Sequence, residues 1–372
     1  MVKKNVFKIA GVYTAIILGA GFASGRELLE FFVRYGRDGI FGLALAGVMF
    51  SVTGWAVLEI CRVKKINDGS EFIEHVAGKK LGTAINASVS LFFFVLYSTM
   101  LSAAGAALYE AFGLPTFVGV TAAGGLCFVT MLFDLDGIVN VNSFLAPFMV
   151  VGGIAVGVYA FLSSSPAFAP EPIAAKGNWA ASAVTYAAYN IVTSVTVLAS
   201  ISHMSRNKKT SFFSGVTGGL AMTALGAFMA LPLFSAYGKA ASFEIPLLAV
   251  LPKSGDLIKA LYIIILMAAI YTTAVANGFA FTQMVSRRSS QNVVFLKAVV
   301  TIAAICAARI RFSSFVGKIY PAFGLAGIIV IVCVFRRFAN LCVEDAARKR
   351  KNGNDASRPR HMDKIKKIYR KA

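Results

Sequence analysis

The chain has 372 residues, 57% of them hydrophobic and only 15% charged, with a mean hydropathy of +0.71. Soluble domains carry more charge and less apolar surface. Long apolar segments recur here from end to end, which excludes a soluble domain on a single anchor and points to an all-α polytopic membrane protein. The formal charge of +20 lies mainly in loops and the C-terminal tail. No aromatic platform or nucleic-acid module accompanies it, so nucleic acid is not an expected partner. Cys61, Cys127, Cys306, Cys333 and Cys342 show no metal-ligand spacing, the habit of small buried residues.

Residues 8–33 read KIAGVYTAIILGAGFASGRELLEFFV. The stretch is long enough to cross a bilayer, but Gly19, Gly21 and Gly25 permit non-helical dihedrals. Ser24 followed by Glu27 has the spacing of a capping box, the mark of a helix starting. Two half-helices meeting at residues 19–24 are therefore expected. Such a break is tolerated in hydrocarbon only where protein or a wet cavity covers it, and breaks of this kind often hold the binding site of a secondary transporter. One continuous helix with small residues for packing is the alternative. The segment is not a simple signal peptide, because its long apolar core runs on into a charged amphipathic part with no small-residue cleavage site.

Further spans are expected at 40–61, 84–110, 117–133, 139–162, 179–202, 211–234, 257–285, 292–309 and 316–336, making ten with the first. With both termini cytoplasmic, the inner side receives fifteen Lys and Arg before the tail and the outer side eight, which favours that orientation, although Arg309, Arg311 and Lys318 run against it. The loop 64–80 is expected to hold a short helix along the inner face. The loop 237–255, with SFEIPLL, is expected to fold a short helix back over an outer vestibule. Residues 1–340 form the membrane domain, and 341–372 read as a basic, disordered tail attracted to anionic lipid.

Ten spans divide into two sets of five, about 8–162 and 179–336, and an odd number per set forces the sets to be inverted. The first and sixth spans then correspond. The centre of the sixth carries Tyr189, Asn190, Thr193 and Ser194, polar groups that either replace missing backbone partners or simply bond between helices. In the eighth, Ala269, Thr272 and Thr273 offer a carbonyl and two hydroxyls. With carbonyls freed near Ile17 and Ala20 they make five neutral oxygens, a set suited to sodium and not to a divalent ion. The threonines also have the simpler option of bonding back to their own helix.

Glu27, an ionisable group just past the break, is a functional candidate by position. It completes a cap and pairs with a nearby base, or carries a coupling proton, or meets a cationic amine. Glu59, Glu110 and Lys297 read as solvated heads near interfaces. Tyr97, midway along the third span, can face a central cavity. His75, His203 and His361 lie in loops, at a segment edge or in the tail; no paired carboxylates, histidine cluster or nucleophile–base set is present, so no enzyme is expected.

GAGFASGRELLEFF in the first segment closely resembles the YkvI-like family of bacterial membrane proteins, and through it the amino-acid–polyamine–organocation superfamily with the LeuT-type fold. The resemblance covers roughly 5–340 and is most specific at 19–30. It implies ten helices in a 5+5 inverted repeat with discontinuous helices 1 and 6, alternating access, and a bacterial cytoplasmic membrane location. It implies a central solute site at Gly19, Gly21, Phe22, Ala23, Ser24, Tyr97, Tyr189, Asn190, Thr193 and Ser194. It also implies a sodium site at Ile17, Ala20, Ala269, Thr272 and Thr273, with no other cofactor. No asparagine follows the first break, where many relatives have one, so a second sodium is not placed. The expected function is sodium-coupled symport of a small organic solute such as an amino acid. Proton coupling, or a non-transporting sensor of the same fold, are the alternatives.

Overall fold

The computed structural model describes residues 2–17, 19–133, 177–251, 256–286 and 291–357, with a few positions between 152 and 162. Its helices are α1 (Val2–Ile17), α2 (Ala20–Ala23), α3 (Arg26–Phe31), α4 (Arg37–Lys64), α5 (Gly69–Ala77), α6 (Lys79–Phe112), α7 (Thr116–Leu132) and α8 (Trp179–Ser200). There follow α9 (Lys208–Ser235), α10 (Tyr237–Ala241), α11 (Pro246–Val250), α12 (Asp256–Ser286), α13 (Val293–Ala307), α14 (Phe312–Ser314) and α15 (Tyr320–Ser357).

Among the described residues six helices are long and apolar enough to cross a membrane: α4, α6, α8, α9, α12 and the run Phe312–Glu344. Three shorter apolar helices, Asn5–Ile17, Thr116–Leu132 and Val293–Ala307, accompany them. These fall short of the ten expected spans because three are short, and because the expected span at 139–162 lies largely outside the described residues.

The helices are apolar on both faces, as buried or membrane-embedded helices must be. Phe41, Phe117, Ile264, Ile302 and Leu325 stand exposed around the perimeter, while Tyr13, Phe32, Phe50, Phe92 and Tyr186 fill the centre. Apolar side chains gain little by leaving lipid for protein, so helix pairing here depends on close backbone approach at small residues. A Cβ on Gly215 of α9 would stand 2.3 Å from the Trp55 nitrogen of α4, and one on Gly327 of α15 would stand 2.2 Å from the Ala188 carbonyl of α8. The two long helices α6 and α12 also pack together, with Gly278 against the Tyr97 ring.

Several expectations change. The sixth span is not discontinuous: α8 runs unbroken from Trp179 to Ser200, and only a 3₁₀ turn at Ser202–Met204 follows. Its polar centre is satisfied within the helix. Asn190 Nδ2 donates to the Tyr186 carbonyl at 3.0 Å, and Thr193 and Ser194 both donate to the Asn190 carbonyl, at 2.9 and 2.7 Å. The tail from 341 is not disordered at its start, because α15 continues to Ser357; the rest lies outside the described residues. Glu59 and Lys297 are not solvated heads. Glu59 is 2% exposed and takes Arg62 in two hydrogen bonds, and Lys297, 4% exposed, donates to the Met131 carbonyl. The short helix expected in the loop 64–80 is α5, with Asp68 accepting the Glu71 amide at its start.

A buried carboxylate at the helix break

The first segment breaks where its glycines stand. α1 stops at Ile17, Gly19 is extended (φ −64°, ψ 177°), and α2 is a single turn. Gly19's carbonyl accepts the Phe22 and Ala23 amides at 3.1 and 3.0 Å, and Ala20's accepts the Ser24 amide at 2.8 Å. The amides of Phe22, Ala23 and Ser24, residues of the expected solute site, are thus used inside the turn. Ala20's carbonyl keeps one lone pair.

The capping box does not form. Gly25, at φ +78°, occupies the position before α3, a left-handed conformation that glycine adopts at no steric cost. Ser24 Oγ accepts the Arg26 amide and donates to the Gly21 carbonyl. Glu27 is released from capping and lies across Gly21 instead, where a Cβ would come within 2.1 Å of its Oε1. The break therefore holds a carboxylate in place of a side chain at Gly21.

Glu27 is 6% exposed and faces the phenols of Tyr186, Tyr189 and Tyr320, each at most 2% exposed. Tyr189 approaches the carboxylate without closing a well-formed hydrogen bond. Among the described residues, Glu27 Oε2 and the hydroxyls of Tyr186 and Tyr189 are buried without closing a well-formed hydrogen bond, while the Tyr320 hydroxyl lies beside Thr99. Phe31 packs on Tyr186 and Tyr189, with ring centroids at 5.4 and 5.5 Å, and Phe92 on Tyr189 and Tyr320, at 6.0 and 5.6 Å. The adjacent cation is directed elsewhere: Arg26 donates to the Phe243 carbonyl and to Glu30, which also holds Arg34.

Of these, Tyr186 and Tyr320 were not foreseen. Tyr186 lies three residues before Tyr189, on the same helical face, and that spacing is a usable signal. Tyr320 has none, being brought in by the packing of α15 on α8. Tyr97 was expected at the centre, but its hydroxyl donates to Thr301 Oγ1 at 3.2 Å, on the α13 side.

The α12 helix runs beside the break. Tyr262 donates to the Ala23 carbonyl at 3.0 Å, and Thr273 stands beside Gly19, 3.7 Å from where a Cβ would be. Thr272 Oγ1 donates to the Ala269 carbonyl at 3.1 Å, the local bond open to any helical threonine. Segment 237–251 closes over the far side. The Leu247 amide donates to the Ser24 carbonyl at 3.0 Å, so the short helix expected in this loop is α11 and it is fastened to the backbone of the break. Glu110 is not a solvated head, because it accepts the Glu244 and Ile245 amides ahead of α11. Glu244 in turn binds Arg311 and Ser313.

No protein-family model matches the chain. It is 26% identical over 330 residues to the uncharacterised membrane protein YkvI of Bacillus subtilis (strain 168), covering 88% of this chain and 95% of that protein. It is 25% identical over 321 residues to the uncharacterised protein YyaD of the same organism, covering 86% and 92%. Over most of its length the chain is thus similar to YkvI and YyaD. Among solved structures it is similar to a Na+-coupled sialic acid symporter (TM-score 0.56, 14% identity, 88% of this chain and 78% of that one). It is similar also to MhsT in complex with L-phenylalanine (0.56, 14%, 88% and 87%). A third likeness is to the Eremococcus coleocola manganese transporter (0.58, 12%, 88% and 75%). At such identities these likenesses establish the fold: a LeuT-type bundle of membrane helices.

Proposed function

We propose that this protein is a secondary active transporter that carries a small organic solute across the bacterial cytoplasmic membrane by alternating access, in symport with sodium. The observation that carries the reading is the break at Gly19–Gly25, which holds a buried polar cluster and is covered by segment 237–251, in a bundle with the fold of known transporters. In this reading ten spans form a 5+5 inverted repeat, both termini are cytoplasmic, and segment 237–251 closes the outer side. The ion pair of Glu244 with Arg311 gives one of the three basic residues that run against the charge asymmetry a structural task.

Sodium would be held by the Ala269 carbonyl, the Thr272 and Thr273 hydroxyls and carbonyls at Ile17 and Ala20. Bound there, it supplies one positive charge that links α1 to α12. The fit rests on Thr273 beside Gly19 and on the neutral oxygen donors, which suit a monovalent hard ion. Among the described residues no group of three or more His, Cys, Asp and Glu could hold a metal, which favours an organic solute over a divalent cargo such as manganese. The solute would lie between the break and α8, against Gly21, Tyr189 and the polar centre of that helix. No chemistry on the solute is involved.

The test is reconstitution of the full chain in liposomes, with uptake of a panel of amino acids, organic acids and amines measured under imposed sodium or proton gradients. Uptake of one solute that needs the sodium gradient is the expected result. Binding of a solute without gradient-driven flux would overturn the transport reading.

A further inference from the structure

Lys297 carries a charge that the transport reading leaves unused. It lies on α13 and is 4% exposed, and ionisable groups buried in membrane helices are candidates for a functional role. Its Nζ donates at 2.7 Å to the Met131 carbonyl in the last turn of α7. Carbonyls there lack intrahelical partners, and the helix dipole favours a cation. The same Nζ lies 6.0 Å from the centroid of the Phe279 ring on α12.

Further contacts converge on this end of α7. Thr130, next to Met131, shares a hydrogen bond with the Tyr271 hydroxyl of α12. A Cβ on Gly278 of α12 would stand 3.2 Å from Met131 Sδ and 3.2 Å from the Tyr97 ring of α6. Tyr97 donates to Thr301 Oγ1, which donates in turn to the carbonyl of Lys297. Tyr271 falls within the stretch Ala269–Thr273. Two residues apart on a helix, Tyr271 and Thr273 point about 200° apart. Tyr271 thus holds the back of α12 against α7, while Thr273 stands beside Gly19.

We propose that Lys297 is a positioning residue for the stretch Ala269–Thr273: its ammonium fixes the end of α7, and Thr130 beside that bond holds Tyr271. This deepens the sodium reading and rests on it for the identity of the ion. Ligand oxygens serve an ion well only when held within about 0.5 Å of the productive geometry. A backing behind them therefore bears on affinity without touching the ion. A hydrogen bond from an ammonium is about twice as strong as a neutral one. An apolar residue at 297 would leave the Met131 carbonyl without this donor.

The experiment is hydrogen exchange of the purified full chain in potassium buffer, with melting followed as sodium is added. Lys297→Met keeps the length of the stem and removes the ammonium. It should quicken exchange at residues 269–279 by about tenfold and raise the sodium concentration for half the Tm shift by a similar factor. Thr130→Val spares Lys297, removes the Tyr271 bond and should do the same to a smaller degree. It decides the matter if Lys297→Met does not fold. Gly327→Ala, which loosens α15 on α8, is the control for lost stability alone and should move neither reading. The proposal is overturned if either variant that folds leaves exchange at 269–279 no faster than Gly327→Ala does. It is overturned too if exchange quickens and the sodium midpoint stays at the parent value. Faster exchange at 269–279, in a protein whose parent shows no sodium shift, would uphold the positioning role and overturn the sodium reading.

Discussion

The Leu247 amide donates to the Ser24 carbonyl at 3.0 Å, and the Leu247 side chain lies where a Cβ on Gly25 would stand, 2.8 Å from its Cγ. A segment from the second half of the chain is thereby fastened to the backbone of the break itself. A further fastener is Glu110, whose carboxylate takes the amides of Glu244 and Ile245. Glu110→Ala should leave those amides without their acceptors and cost the closed segment about 1–3 kcal/mol. Hydrogen exchange at residues 244–248 should quicken by one to two orders of magnitude, about what that energy represents. Unchanged exchange would show that Arg26 and Arg311 suffice to hold it.

The paired substitution Thr272→Ala and Thr273→Ala removes two hydroxyls, one of which bonds to the Ala269 carbonyl. In potassium buffer the loss should be small, about 1 kcal/mol. The stabilisation expected on adding sodium should vanish. A double variant that still melts higher in sodium would place the ion elsewhere.

Gly21 and Gly19 make a matched pair. A methyl at Gly21 would meet Glu27 Oε1 at 2.1 Å, whereas one at Gly19 would meet only Thr273, at an ordinary 3.7 Å. Gly21→Ala should push the carboxylate away from the phenols, costing about 1–3 kcal/mol of stability and most of the solute binding. Gly19→Ala should be tolerated within about 0.5 kcal/mol. Melting and binding measured on both variants check the contrast.

Gly327→Ala tests the packing of α15 on α8. Its Cβ would meet a backbone carbonyl, that of Ala188, which cannot move aside as a flexible side chain can. The expected loss is about 1–3 kcal/mol, read as a lowered Tm. Gly11→Ala, where no atom lies within 4 Å, is the control and should be neutral.

His75, on α5 beside the membrane helices, accepts a hydrogen bond from Arg337 Nε at 3.2 Å. Burial, with the charges of Arg337 and Lys64 beside it, holds its pKa below the ordinary 6.5. The folded chain then binds this proton less tightly than the unfolded chain does. Its contribution to stability is complete above about pH 6.5 and is lost as pH falls toward the lowered value. His75→Gln should flatten the fall in Tm between pH 7 and 5, and an unchanged slope would assign the acid sensitivity to other groups.

The break was legible because three glycines in seven residues leave a helix little to hold it together. The manner of its closing was not. Ser24 and Glu27 have capping-box spacing, but Gly25 takes up the left-handed turn between them and frees the carboxylate, an outcome set by one dihedral and not by composition. Asn190, Thr193 and Ser194 promised a second break and instead bond within their own helix, which short polar side chains do equally well. Tyr320 could not be found from its surroundings in the sequence, since only tertiary packing carries it to Glu27.

The continuity of α8 has a mechanical meaning. At about 1.5 Å per residue its 22 residues form a stiff rod that fixes Tyr186 and Tyr189 relative to one another, with Tyr320 pressed against them by the close approach at Gly327. Glu27 rides on the other wall, on α3 just past the joints at Gly19 and Gly25. A small swing about those joints changes how far the carboxylate stands from the phenols without rearranging the phenols themselves. The cluster is built like a vice, with one fixed jaw and one hinged jaw, and the hinged jaw carries the charge.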